Sequence, residues 1–127
     1  MPESVTDRPT SSHECVFLLS KARTYYYDHE AIREGSNGDG RNRRSVWTVN
    51  TKPYSEAHFA CWPPKLVTPM ILAGSKQGDV VLDPFMGSGT TAQVAQDLGR
   101  NWIGVELNPS YTKLQDKRTA QLSLMGL

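Results

Sequence analysis

The sequence has few cysteines, no strong excess of charge and no long apolar run. Its two cysteines, Cys15 and Cys61, lack a CxxC spacing, which argues against a zinc site or a disulfide framework and is typical of a reducing compartment. The net charge of +1 neither indicates nor excludes a nucleic-acid partner. No apolar run is long enough to span a membrane, and no secretory signal opens the chain. We therefore expect a soluble, cytoplasmic protein without a membrane partner.

A chain of 127 residues with 38% hydrophobic composition has room for one core, so we expect a single domain over residues 1–127. Within it, segment 35–44 combines glycine, serine, asparagine and aspartate with three arginines. This composition is too polar to pack and predicts a flexible loop. Arg41, Arg43 and Arg44 are suited to phosphate contacts, although such a short cluster is more often a solvated loop.

The second half of the chain alternates between helix and strand patterns. Pro63 and Pro64 predict the start of a helix that Pro69 should kink, and Gly99 predicts the end of a later helix. The predicted order is helix, strand, glycine turn, helix, strand and helix, over residues 64–72, 80–83, 84–89, 90–98, 101–106 and 109–122. This alternation predicts an α/β fold with a mostly parallel, Rossmann-like sheet. Three short runs in the first half, 15–19, 25–27 and 45–50, predict further strands.

The glycine turn predicts a ligand site. Gly87, Gly89 and Ala92 match the GxGxxG/A spacing of dinucleotide-binding folds, and Glu106 follows at a distance suited to a ribose hydroxyl. A helix start after such a turn presents free backbone amides that attract anions. A tight turn that merely joins strand to helix is the alternative.

Three ligands compete for this turn. A triphosphate loop would need a lysine after its last glycine, whereas Thr90 and Thr91 follow Gly89. Asp83 would repel a dinucleotide pyrophosphate, which counts against a nicotinamide-dependent oxidoreductase. S-adenosylmethionine fits better, since Asp83 would attract its ammonium, the helix start its carboxylate and Glu106 its ribose.

Three segments also resemble a known family. Residues 83–91, 104–111 and 58–66 are similar, in that order, to the cofactor motif, the ribose-binding strand and the methionine-contacting segment of bacterial and phage DNA methyltransferases. These enzymes of restriction-modification methylate an exocyclic amine of adenine or cytosine, and in the subclass resembled here the catalytic motif comes first. Charge pattern and resemblance together give the predicted cofactor-binding set: Phe59, Ala60, Asp83, Pro84, Phe85, Gly87, Gly89, Thr90, Thr91, Glu106 and Asn108.

The resemblance also implies residues that the sequence lacks. Such enzymes flip the target base and hold its amine with an acidic or polar residue followed by Pro-Pro and an aromatic. The only partial match, Trp62-Pro63-Pro64-Lys65, has no acceptor side chain, and neither cysteine follows a proline as carbon-5 methylation requires. We therefore expect an N-terminally incomplete portion with no catalytic residues, with segment 35–44 in place of a target-recognition region.

Two functions remain open at this stage. One is an S-adenosylmethionine-dependent DNA methyltransferase of which this chain is the cofactor-binding portion, with DNA as partner. The other is a non-catalytic S-adenosylmethionine-binding fragment or a subunit of a split methyltransferase, in which a second chain supplies the catalytic motif. No histidine or cysteine pair has metal-ligand spacing, so we expect no metal.

Overall fold

The computed structural model describes residues 5–35, 40–50 and 61–120. Its regular elements are α1 (Pro64–Gly74), β1 (Val80–Asp83), α2 (Thr90–Asp97), β2 (Asn101–Gly104) and α3 (Thr112–Ala120), with short 3-10 helices at Glu30–Ile32 and Pro109–Tyr111. None of the described helices is long and apolar enough to cross a membrane. The predicted α/β class with a parallel sheet is confirmed.

The first of these helices, α1, begins where its prolines predict. Pro63 is the N-cap and Pro64 the first helical residue, where a missing N–H costs nothing and φ is already suitable. The helix continues through Pro69, which is buried and cannot donate to the carbonyl one turn earlier. It ends at Gly74, two residues beyond the predicted end, where the Ser75 amide and hydroxyl both donate to the Ile71 carbonyl, at 3.1 and 2.6 Å.

The sheet of the described residues has two parallel strands, β1 and β2, aligned from Val80 opposite Asn101 to Asp83 opposite Gly104. Helix α2 makes the crossover between them, as a parallel pair requires. One face of the sheet packs through Val81 and Trp102 onto the core. That core consists of buried side chains from α1 and α2: Val67, Ile71, Val94 and Ala95. The opposite face leaves apolar side chains, such as that of Leu82, exposed.

The later boundaries follow local signals with two adjustments. Gly99 takes φ 73° just after α2, as the predicted cap requires. Strand β2 ends at Gly104, so the predicted strand end at Glu106 is wrong. The pairing stops because its partner β1 ends at Asp83. The last hydrogen bond between the two strands runs from the Val105 amide to the Asp83 carbonyl at 2.9 Å. The closing helix is divided into a 3-10 turn and α3, and residues 121 and 122 lie outside the described residues.

The three strands predicted in the first half do not form. Segments 15–19, 25–27 and 45–50 contain no strand, and their large apolar side chains are mostly exposed; Phe17 is 78% and Leu19 86% exposed. A strand needs a partner for its amides and carbonyls, and none of the described residues offers these segments one. Among the described residues of this half, the backbone pairing is an isolated antiparallel bridge between Glu34, just before the predicted loop, and Arg41 within it.

Candidate functional site

The site predicted from the glycines lies at the carboxyl end of the sheet. The chain leaves β1 at Asp83 and turns into α2, with Gly87 at φ 51° and Gly89 at φ 87°. Both values lie in the left-handed region, where a side chain is strained. At Gly89 a Cβ would also stand 3.4 Å from the Cα of Gln115 on α3, so the turn is held close to that helix. The GxG spacing therefore reflects real backbone constraints.

Glu106 links this turn to the loop after β2. Its carboxylate accepts a hydrogen bond from the Gly87 amide at 2.8 Å through Oε2 and from the Asn108 amide at 2.7 Å through Oε1. A carboxylate has about four acceptor positions, so about two remain for a further donor. The structure thus brings Gly87, Glu106 and Asn108 together, and an acceptor for hydroxyl groups lies beside the turn.

Asp83 lies at the rim of the same turn. Its Oδ1 accepts a hydrogen bond from the Phe85 amide at 3.0 Å, whereas its Oδ2 has no donor among the described residues. The side chain is half-buried rather than turned into the interior, and Pro84 and Phe85 beside it are exposed, the latter by 88%. A negative charge is therefore available at the edge of the sheet for a cationic group.

The start of α2 supplies backbone donors. Thr90 and Thr91 occupy the first turn of the helix, where amides have no intrahelical acceptor. The Thr90 hydroxyl is not part of this donor set, because it is buried and accepts a hydrogen bond from Arg118 at 2.9 Å. Any anion at this helix start would therefore be held by main-chain N–H groups.

The remaining predicted residues have a structural role or lie outside the described residues. The Asn108 Oδ1 caps the 3-10 helix by accepting from the Ser110 amide at 3.0 Å and the Ser110 hydroxyl at 2.8 Å. Phe59 and Ala60 lie outside the described residues. Nearby, the Cys61 Sγ lies 3.1 Å from the Ser88 Oγ, so the chain just before α1 contacts the glycine turn.

Several residues of the site were missed by sequence reasoning. Gln115 donates from Nε2 to the Gly87 carbonyl at 2.7 Å, and Arg118 holds Thr90; both project from α3. Met86 is buried against Gly104, where an added Cβ would overlap the Met86 thioether. A glycine at the end of β2 was the one available signal of this close approach.

The comparisons with known proteins agree on one family. A family model described as DNA methylase, N6_N4_Mtase, matches residues 1–117. Type II methyltransferase M.Cfr9I of Citrobacter freundii is 56% identical over 93% of this chain and 40% of its own length. Type II methyltransferase M.SmaI of Serratia marcescens is 52% identical over 92% of this chain and 41% of its own length. The chain thus spans about 40% of the curated relatives it matches.

Solved structures support the same conclusion. The crystal structure of an M1.HpyAVI–SAM complex aligns with a TM-score of 0.58 and 25% identity, over 75% of this chain and 44% of that one. This likeness agrees with a partial Rossmann-like methyltransferase fold, as predicted from the sequence. The family match covers nearly all of the sequence, and the chain belongs to the N6_N4_Mtase family of DNA methylases.

Proposed function

We propose that this chain is the S-adenosylmethionine-binding portion of a DNA methyltransferase that methylates an exocyclic amine of adenine or cytosine. The observation that carries the proposal is the arrangement of charge around the glycine turn. Two carboxylates, those of Asp83 and Glu106, accept hydrogen bonds from amides of the turn, and the free amides of the α2 start follow the turn in the chain. This distribution of charge complements a zwitterion better than a purely anionic ligand.

Each part of the cofactor has a suitable partner in this arrangement. The Asp83 Oδ2 would accept from the ammonium, the amides of Thr90 and Thr91 would donate to the carboxylate, and Glu106 would accept from the ribose hydroxyls. When bound, S-adenosylmethionine supplies an electrophilic methyl group. In this arrangement Asp83, Glu106 and the α2 amides bind and orient the cofactor.

The relatives support this assignment. The M1.HpyAVI structure is named as a complex with SAM, and the curated relatives are named type II methyltransferases. We therefore propose DNA as the macromolecular partner and the cytoplasm, where DNA and cofactor meet, as the location.

A second candidate, a cofactor-binding subunit of a split enzyme, is favoured by the position of the Trp62–Lys65 segment. Its two prolines form the N-cap and the first residue of α1, and Trp62 is 60% exposed. The prolines therefore define the start of the helix and are not part of an amine-holding motif. For this candidate we propose that a second chain supplies the catalytic motif. Tritiated-methyl transfer to duplex DNA by the purified chain alone would contradict this second proposal.

Calorimetric titration with S-adenosylmethionine tests the cofactor assignment. Asp83→Asn removes the charge that faces the ammonium, so we expect affinity to fall about tenfold, equivalent to about 1.4 kcal/mol. Asp97→Asn, an exposed acid at the far end of α2, is the matched control and should leave affinity unchanged. Equal losses in both variants, or tighter binding of a nicotinamide dinucleotide than of S-adenosylmethionine, would contradict the proposal.

A further inference from the structure

A second concave site lies apart from the glycine turn, between the 3-10 helix Glu30–Ile32, the end of segment 35–44 and helix α1. It encloses about 300 Å³. Its lining includes apolar side chains, among them Ile32 and Leu72, together with three cationic side chains and no acidic one: Arg33, Arg43 and Lys65. We refer to it as the cationic pocket. None of the residues predicted to bind cofactor lines it.

The arginines of segment 35–44 are divided between two environments. Glu34 contacts Arg44 at 3.0 Å and Arg41 at 3.8 Å, so both have an acidic partner outside the pocket. Arg43 instead lines the pocket. The sequence could not separate these three residues, whereas the structure singles out Arg43 as the one that contributes charge to a concavity.

The Arg43 guanidinium is held by an aromatic ring, but its buried Nε lacks a hydrogen-bond acceptor among the described residues. Its guanidinium lies over the Trp47 ring, 4.6 Å from the centroid, and the Trp47 indole N–H is itself fixed by donating to the Arg44 carbonyl at 2.7 Å. The Arg43 Nε is buried, and no acceptor for it exists within the described parts of the chain. A buried donor without an acceptor destabilises the structure, and an oxygen of a bound anion would supply the missing acceptor.

We propose that the cationic pocket binds a backbone phosphate of DNA; this inference rests on the proposed DNA-methyltransferase function. Guanidinium and ammonium groups are the donors that phosphate oxygens prefer. Arg33 retains an acidic neighbour, Glu30 at 3.0 Å, whereas Arg43 and Lys65 have no ion pair with an acidic side chain among the described residues. The apolar side chains of the lining are suited to the sugar that adjoins a phosphodiester. The contact would position the duplex without reading its sequence.

The salt dependence of DNA binding by the full chain provides the test. For a fluorescein-labelled duplex, each lost phosphate contact lowers the slope of log affinity against log salt concentration by about 0.9. We expect Arg43→Gln and Lys65→Gln each to produce this decrease. Arg44→Gln, from the same segment but paired with Glu34, and Lys113→Gln, on exposed α3 surface, should change the slope by less than half as much. Equal changes in pocket and control variants would overturn the inference.

The ¹H–¹⁵N resonance of the Arg43 Nε provides a direct readout that does not depend on a variant's folding. It should shift on addition of the duplex and much less with equimolar inorganic phosphate. A shift with inorganic phosphate alone would overturn DNA as the ligand. Calorimetry with S-adenosylmethionine separates the two proposals: cofactor binding with an unchanged salt slope removes only the pocket inference, whereas DNA binding through the pocket without cofactor binding removes only the cofactor assignment.

Discussion

Residues 61–120 and residues 5–50 differ in how they use similar apolar content. The later segment buries Val67, Ile71, Val94 and Ala95 between two helices and a sheet. The earlier segment has Ile32 as its buried apolar side chain among the described residues and leaves Leu19 86% exposed. The difference shows that apolar residues stabilise a fold only where a partner surface exists. Helices obtain their backbone hydrogen bonds locally, whereas strands need a neighbour.

The largest expected effect comes from shortening a side chain in each segment. Ile71→Ala removes buried methyl groups from the core and should lower the free energy of unfolding by about 2–5 kcal/mol. Leu19→Ala removes similar atoms from an exposed position and should change it by less than about 0.5 kcal/mol. Urea unfolding followed by circular dichroism measures both. Comparable losses would show that segment 5–50 carries part of the core, contrary to the structure.

An intermediate effect is expected at the glycine turn. Gly89→Ala places a Cβ at φ 87° and 3.4 Å from the Gln115 Cα, so we expect a loss of about 1–2 kcal/mol in unfolding free energy. Gly74→Ala is the matched control, since Gly74 lies at the end of α1, an added Cβ there would meet open space, and the change should stabilise by up to about 1 kcal/mol. A stable Gly89→Ala protein would mean that the turn tolerates a different backbone path.

The smallest effect concerns the contact that joins the ends of segment 35–44. Burial raises the pKa of Glu34, but hydrogen bonds from Arg44 and the charges of Arg44 and Arg41 outweigh it and hold the pKa below its ordinary value. The folded-state pKa is the lower one, so the contact is fully present above the unfolded-state pKa. It is lost as the pH falls through the folded-state value.

Amide hydrogen exchange at Glu34 and Arg41, whose backbones pair at 2.9 Å in both directions, measures this loss. Exchange should accelerate at acid pH relative to the intrinsic rate, and Glu34→Gln should remove this pH dependence. A wild-type profile that matches the Glu34→Gln profile would contradict the role of the carboxylate. Exchange at the amides of α2 should show no such acceleration at acid pH, and this difference sharpens the contrast between the two segments.

Features that depend on neighbouring residues were predicted correctly from the sequence, whereas features that depend on distant contacts were not. The start of α1 at Pro64, the bounds of β1 and the cap at Gly99 were predicted correctly because each depends on neighbouring residues. The strands predicted at 15–19 and 25–27 were wrong because a strand depends on a distant partner that the pattern cannot show.

The same distinction applies to the candidate site. The acidic and glycine positions were predicted from one short motif and one companion acid, and the structure places them around one turn. Gln115 and Arg118 were missed, because each contacts the turn region from 28 residues away and no local pattern records that contact. The division of the loop arginines between Glu34 and the cationic pocket is likewise a tertiary property.

The two amide bonds accepted by Glu106 have a thermodynamic consequence for ligand binding. Because one carboxylate accepts from the Gly87 and Asn108 amides at the same time, it restrains both loops without needing a ligand. The conformational entropy of ordering them is then lost during folding rather than during association. For the proposed cofactor site, replacing Glu106 should therefore weaken binding partly through entropy, a component that calorimetry separates from the enthalpy of the hydrogen bonds proposed between Glu106 and the ribose.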